Sequence, residues 1–382
     1  MIRNKKHFYI PFIMILLFFL TALPARAEDN YKEDSAQVPA KILSIISEDI
    51  VESDQVMDGF KIEYAEVEIL KGPHKGERII AENVTDNMMA YNIIIDEGDE
   101  VLLYLEQDEE GNILNAYVAE IYRQKYLIYL VLAFVAFLII FGGIKGLKSI
   151  ITLVLTGIAI VKILLPMILK GYDPILISLG ICAAVTTITL IIISGFNKKT
   201  LCAIVGTTGG VVVAGIMALS MGSLAKLTGL GNEEAQMLLF LPQNIDFNFK
   251  GLLFAGIILG ALGAVMDVGM SIASAMHEIE QTNPSILTKD LIKSGMNVGR
   301  DIMGTMSNTL ILAYTGGSLH MMLLLMAHKI PFSEVINWDM IASEVVRALA
   351  GSIGLIFAIP ITAIVSGYIG RDKNEHKVVN KT

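Results

Sequence analysis

GLLFAGIILGALGAVMDVGMSIASAMHEIE, residues 251–280, is apolar until it reaches an aspartate, Asp267. An apolar run of about twenty residues is what a helix needs to cross a hydrocarbon core. On a helix, positions 256, 260, 263, 267, 271, 274 and 278 repeat at steps of three and four and share one face. They are Gly256, Gly260, Gly263, Asp267, Ser271, Ser274 and Glu278, all small or polar. The neighbouring faces carry Leu, Ile, Val and Met. This pattern predicts a membrane helix whose glycines admit a second helix and whose carboxylate is turned away from lipid. A charged carboxylate near a helix centre costs roughly 2.5–3.5 kcal/mol on insertion scales, so it needs a cation, a hydrogen-bond partner, water or a proton. Such groups mark ion or substrate paths; the alternative is a buried hydrogen bond that locks two helices together.

The rest of the chain has the same character. Of 382 residues, 54% are apolar and 18% charged, below the quarter or so charged in soluble proteins. The apolar residues gather in runs at about 124–142, 149–169, 173–194, 200–222, 251–276, 302–326 and 344–368. The expected fold is therefore mainly α: a polytopic membrane protein of about seven transmembrane helices over residues 124–370, with a tail at 371–382.

Ahead of the helices stand two different segments. Residues 1–27 have a basic start (Arg3, Lys5, Lys6), an apolar stretch from Phe8 to Leu20, and Ala25-Arg26-Ala27, an A-x-A cleavage pattern. They read as a signal peptide, so the chain from residue 28 onward is delivered outside. Residues 28–123 hold 24 Asp/Glu against 7 Lys/Arg, and the remainder of the chain is net basic. An acidic surface argues against nucleic acid as a partner. In this segment KILSII (41–46), KIEYAEVEIL (61–70), ERIIAENV (77–84), EVLLYLE (100–106) and LNAYVAEIY (114–122) are strand-like, and GPHKG, DEGDE and DEEGN between them are turn chemistry. Five short antiparallel strands predict a small extracytoplasmic β-barrel of OB-like type. Both cysteines, Cys182 and Cys202, fall in predicted membrane helices, so the exported segment has no disulfide and no Cys-based zinc site.

Charge also orients the helices. Linkers 142–149, 194–200 and 277–301 and the tail hold 11 Lys/Arg; the alternate linkers hold Lys170, Lys226, Lys250 and Lys329. The positive-inside rule puts the first group, and the C-terminus, in the cytoplasm. That agrees with an exported domain followed by an odd number of crossings.

Other polar residues fall inside predicted spans. Lys162 lies deep in the second, Asn308 in the sixth, and Glu344 with Arg347 in the seventh, spaced to pair with each other. A Lys162–Asp267 pair is one possible way to satisfy both charges. Gly206, Gly210, Ala214, Ala218 and Gly222 form a small-xxx-small ladder in the fourth span, and Gly351, Gly354 and Ala358 do the same in the seventh. The linker 277–301 predicts a turn at Asn283-Pro284-Ser285, then an amphipathic helix to about Met296, separate from the sixth span. AQMLLFLPQN (235–244) is too short to span and reads as an interfacial or re-entrant helix broken at Pro242. Met and His residues of 263–326 suit Cu(I) by ligand type, but no repeat puts them on one continuous face, so no metal site is expected.

GAVMDVGMSIASAMHEI (263–279), NPSI (283–286), GRDIMGTMSNTLILAYTGGSL (299–319) and the stretch 347–363 resemble the YibE/F-like membrane proteins of bacteria. The likeness covers most of the chain and is strongest from about 250 to 365. It implies a transporter-like protein of the bacterial cell membrane without a settled substrate. It also places Asp267, Ser271, Ser274, Glu278, Arg300, Asp301 and Asn308 in the family's most characteristic stretch.

The expected function is an ion- or solute-transporting permease or export component. Its path runs by Asp267, Ser271, Ser274, Glu278, Asn308 and Lys162, and Gly256, Gly260, Gly263, Gly206 and Gly210 serve close helix packing. The expected partners are the bilayer, an unidentified small solute or ion, and a second membrane subunit or another copy. The competing reading is an envelope scaffold or sensor whose exported domain holds a partner. An enzyme is not expected: there is no nucleophile-plus-base arrangement, no H-E-x-x-H, and no second deep carboxylate for an aspartyl dyad. No cofactor motif is present; GTTGG (206–210) lacks the lysine of a phosphate loop.

Overall fold

The computed structural model describes residues 37–50, 60–86, 92–108, 110–240 and 247–369. The expected signal peptide, the tail at 371–382 and the break at Pro242 lie outside these residues. The chain divides into two compact units, residues 1–133 and 134–382.

The first unit is a five-stranded closed barrel of β1 (Gln37–Ile50), β2 (Phe60–Ile69), β3 (Arg78–Asp86), β4 (Glu100–Gln107) and β5 (Ile113–Ile121), in the order β1-β2-β3-β5-β4. Each lies on an expected strand. The pleat sorts the side chains: Ala65, Val67 and Ile69 of β2 are buried while the glutamates between them are not. Ile42, Ala81, Val101, Leu103 and Leu105 complete the core. Register shifts after Ile42 and Ile45 bend β1, which pairs with both β2 and β4. One expectation fails. β3 and β5 meet in parallel, because closing the barrel brings together two strands that run the same way. The turn after β4 is tied by Asp108, whose carboxylate accepts from the Asn112 side chain (2.9 Å) and backbone (2.7 Å) and from the Glu110 backbone (2.9 Å). The Asn112 bonds, first among these, hold the Asp108 carboxyl below the usual carboxylate range.

The rest is helical. α1 (Gln124–Ile158) passes through a π turn (Ala159–Leu164) into α2 (Leu165–Leu169). Then come α3 (Pro174–Ser194), α4 (Lys198–Leu224), the short α5 (Glu233–Met237), α6 (Phe249–Thr282), α7 (Thr288–Gly317), α8 (Leu319–Ala327), the short α9 (Phe332–Val335) and α10 (Asp339–Ile369). Among the described residues, five helices are long and apolar enough to cross a membrane, or six if the bent pair α7–α8 counts as one span.

The stretch Gln124–Leu169 counts as one of the five, yet its 46 residues would reach about 69 Å if straight, more than twice a hydrocarbon core. It is not straight. Gly143 has φ +53° and ψ −130°, open to glycine and not to other residues. A Cβ on Gly146 would strike the Leu138 carbonyl, an atom about 12 Å away along an unbroken helix. The axis therefore turns sharply at Gly143, between the two runs read from the sequence.

The expected break near residue 297 does not occur. α7 runs unbroken from Thr288, since the stretch holds no proline and its isolated glycines, Gly295, Gly299 and Gly304, each weaken a helix by only about 1 kcal/mol. The break comes at Gly316-Gly317-Ser318, where α8 leaves at 60°. Leu287, without a side-chain cap, precedes α7, and Ser285 instead donates to Asn283 (2.8 Å).

α4, α6 and α10 pack on one another at the centre, around Val211, Ala214, Ile258, Val265, Leu355 and Ala358. The glycine ladder of α4 makes this possible. A Cβ on Gly210 would lie 2.7 Å from the Gly354 carbonyl and 2.8 Å from both Ala358 and Val265; one on Gly206 would strike Thr362. Gly206 and Gly210 thus stand where α4 meets α10 at close contact.

Candidate functional site

Contacts along α6 set the depth of Asp267. Gly222 meets Phe254, Gly215 meets Ile258, Gly210 meets Val265, and Thr207 meets Gly269, so α4 and α6 run antiparallel. Asp267 falls between the last two rungs, about 4 Å along the axis from the middle of α4. On the other flank Gly295 of α7 meets Met276, Gly299 meets Ile272, and Tyr314 meets Gly260. That register sets Asp267 level with the Gly304–Ser307 turn of α7.

The faces are reversed from expectation. Ile257, Ile258, Ala261, Val265, Val268, Ile272 and Met276 of α6 are buried, whereas Gly256, Gly260, Gly263, Asp267, Ser271 and Glu278 are exposed and Ser274 half-buried. A Cβ on Gly256 or Gly263 would meet nothing within 4 Å, so neither admits a neighbouring helix within the chain. The reason is that α6 has two packable faces. The buried one matches the grooves of α4 and α10, and the one bearing charge is left outward. α7 repeats the arrangement: Asn297, Arg300, Asp301, Gly304, Thr305 and Asn308 are exposed, and Gly304 meets nothing within 4 Å.

The outward faces of the other helices differ. α3 exposes Leu176 and Ile188, α4 exposes Leu201, Val205, Val212 and Ile216, and α10 exposes Val345, Leu349, Phe357 and Ile364. Among the described residues α6 exposes no large hydrophobic side chain at all, although it is one of the helices able to cross a membrane.

No hydrogen bond or ion pair is formed by Asp267 among the described residues, and Lys162 is not its partner. Lys162 lies exposed in the π turn, which packs beside α3. Glu344 and Arg347 do pair, at 3.5 Å. Glu344 lines a cavity of about 500 Å³ bounded by α7, α8, α9 and α10, whose other polar members are Tyr314, Thr315 and Ser318 and whose walls include Ile311 and Phe332. Tyr314 joins two features, since it lines the cavity while its hydroxyl lies nearest to Gly260 on the polar stripe.

The sequence reading missed Tyr314, whose signal is a lone aromatic hydroxyl in an apolar run. It also missed Thr207 and Thr362, fully buried at the bundle centre with hydroxyls lacking partners among the described residues. Among the described residues no group of three His, Cys, Asp or Glu side chains gathers that could hold a metal.

No curated protein and no solved structure matches the chain. Residues 31–121, which include the barrel, match the YibE/F family N-terminal domain. Residues 130–372, the helical part, match the family described as YibE/F-like protein, and the chain belongs to that family.

Proposed function

We propose that this protein is a permease or export component that carries an ion or small solute past Asp267. The observation that supports it most is the outward face of α6: a carboxylate unpaired among the described residues, near the middle of an apolar span, flanked by glycine and serine, with no exposed large apolar side chain to meet lipid. Water, a cation or a proton suits such a surface, and hydrocarbon does not. In this reading the arms on either side of Gly143 cross separately and the bent pair α7–α8 crosses once, giving seven crossings. The barrel is then outside and the tail in the cytoplasm. Asp267 holds the coupling ion or the solute, with Ser271 and Asn308 beside it. The cavity at Tyr314 is the outer antechamber, and the break at Gly316-Gly317 is the joint that opens it, as discontinuous helices do in transporters. Lys162, in a π turn, sits in an element often kept for function. The solute passes unaltered, and no catalytic group is invoked.

The test is a thermal-shift screen of purified wild type and Asp267→Asn over pH, monovalent and divalent ions, amino acids and nucleotides. A ligand of the folded state raises apparent stability by mass action. A ligand that shifts only the wild type supports the site. If no ligand shifts the wild type and Asp267→Asn melts several degrees lower, the aspartate is a helix lock and the permease reading fails.

A second reading, an envelope scaffold, is favoured by the barrel, which has a closed hydrophobic core of its own. Full complementation by the barrel carried on one unrelated membrane helix would establish it, because that leaves nothing for the polar face to do.

A further inference from the structure

We infer that a second copy of this chain covers the outward face of α6 and α7, so that the surface around Asp267 becomes an interior shared by two subunits. The inference goes beyond transport and needs only that α6 crosses the bilayer.

The argument begins with what the chain leaves uncovered. From Gly256 to Glu278 the exposed residues of α6 form one polar or glycine face, about 33 Å long. Lipid is a poor neighbour for it. Glycine offers little surface to pack, and the carboxylate of Asp267 has no hydrogen bond among the described residues. The spans packed beside α6 differ from it, since the outward residues of α3, α4 and α10 are large and apolar, as lipid-facing residues are. Helices associate in membranes through small residues that let backbones approach and polar groups that bond across the gap. Both occur on α6 and α7, and on their outward sides.

The face is also complementary to itself. α6 presents the carboxylates of Asp267 and Glu278, while α7 presents the amides of Asn297 and Asn308 and the guanidinium of Arg300 beside the single carboxylate of Asp301. A twofold axis along the bundle preserves depth, so residues at one level in the first copy meet the same level in the second. Asp267 is level with the Gly304–Ser307 turn, and the α6 face of each copy then lies against the α7 face of the other. The contact is isologous, each half repeating the other, which is the commonest form of oligomer symmetry. The second copy's Asn308 supplies the donor that Asp267 lacks. Gly263 and Gly304, open beyond their Cα atoms, take up side chains from across the axis. The ladders of Gly206, Gly210 and Gly354 are not available for this, since they are filled within one chain.

The test is cross-linking in native membranes. Cys182 and Cys202 are replaced by alanine, then Gly263→Cys and Asn308→Cys chains bearing different tags are co-expressed and oxidised. The expected product is a two-chain band carrying both tags. The pairs Leu176→Cys and Ile364→Cys, on the apolar faces of α3 and α10, give no such band. Adding Gly304→Leu to both chains lowers the dimer band by about tenfold or more, since a bulky side chain holds the backbones apart. Wild type in lipid nanodiscs, weighed by native mass spectrometry, provides a reading free of substitutions. Two chains per particle is expected; one chain per particle overturns the inference. So does a cross-link only to a different protein, or bands of equal strength from the control pairs. These readouts report assembly and not ligand binding, so their failure is distinct from failure of the permease reading.

Discussion

Gly210 and Gly304 are both helix glycines in a chain of small-residue faces, and the structure assigns them opposite responses to one added methyl group. In α4, a Cβ on Gly210 would fall within 3 Å of atoms from two helices, the Gly354 carbonyl and Ala358 of α10 and Val265 of α6. The carbonyl belongs to a helix backbone and cannot rotate away, so α4 must separate from α10. Overpacking a dense core costs about 1–3 kcal/mol. The better helix propensity of alanine returns at most about 1 kcal/mol. The carbonyl contact puts Gly210 at the upper end of that range, so the net expectation for Gly210→Ala is a loss of about 2 kcal/mol. In α7, a Cβ on Gly304 meets nothing within 4 Å, so the propensity gain stands unopposed in the isolated chain. Thermal melts of the two purified variants in detergent that holds single chains check this. Gly210→Ala should melt several degrees below wild type and Gly304→Ala at or above it. The reasoning is refuted if Gly210→Ala melts with wild type, or if the two variants fall together. Repeating the melts in nanodiscs adds a second contrast. There, if two copies meet at Gly304, the alanine loses its advantage.

Three further outcomes are expected. Gly143→Ala forces a non-glycine residue to φ +53° and ψ −130°, at about 1–3 kcal/mol of backbone strain, and should lower the melting temperature; Gly142→Ala, with open space and no positive φ, should not. Ile42→Ala empties the barrel core, where Ile42 is 0% exposed, and should cost about 2–5 kcal/mol, read as faster proteolysis of the barrel in the full chain. Ile80→Ala, at a position 59% exposed, should leave that rate unchanged. Finally, the folded state depresses the Asp108 pKa, so its stabilising effect is complete above the ordinary value of 3.8 and disappears as pH falls through the folded value. Amide exchange in the turn at 110–112 should therefore be slower in wild type than in Asp108→Ala at neutral pH, with the difference closing in acid.

The barrel and the five long apolar helices were legible because each rests on one strong signal. Alternation in YAEVEI puts Ala65, Val67 and Ile69 inside with no help from the rest of the chain, and twenty apolar residues announce a span by length alone. What stayed hidden depended on meetings between distant segments. The parallel β3–β5 pair results from barrel closure, which no local alternation encodes. The unbroken α7 was hidden by ending the amphipathic helix near Met296 and starting the sixth span at Arg300 and Asp301. Polar residues end an apolar run, but they do not end a helix, and Gly316-Gly317 does. For α6 the period was right and the direction wrong. Seven small or polar positions on one face and seven apolar positions on the opposite face are the same periodicity, and periodicity does not say which face is covered.

Charge resolves that ambiguity, and the two glycine ladders show how. Along α4 the small face of Gly206, Gly210, Ala214, Ala218 and Gly222 carries no ionisable group. It can be sealed against α10 at atomic contact, where even a methyl group is excess. Along α6 the small face holds Asp267 and Glu278. Sealing it as tightly would bury a carboxylate against Cα atoms and aliphatic side chains, with no room for water or a donor, and an unpaired buried charge costs several kcal/mol. The fold therefore turns the aliphatic face of α6 inward and leaves the charged face for whatever supplies hydrogen bonds. A small-residue stripe in a membrane span is thus two different instructions. Without charge it marks a helix crossing inside the subunit. With an aspartate near its middle it marks a surface that another molecule, a solute or a second subunit, must complete. Replacing Asp267 by alanine separates the two meanings: the charge requirement goes, the glycines remain, and the face can meet lipid or a neighbour without a donor. The expected result is a chain that stays folded and loses both its ligand response and its preference for two copies in a nanodisc. A variant that instead loses the α6–α4 packing, seen as a melt as low as that of Gly210→Ala, would mean that Asp267 had served the fold of the single chain.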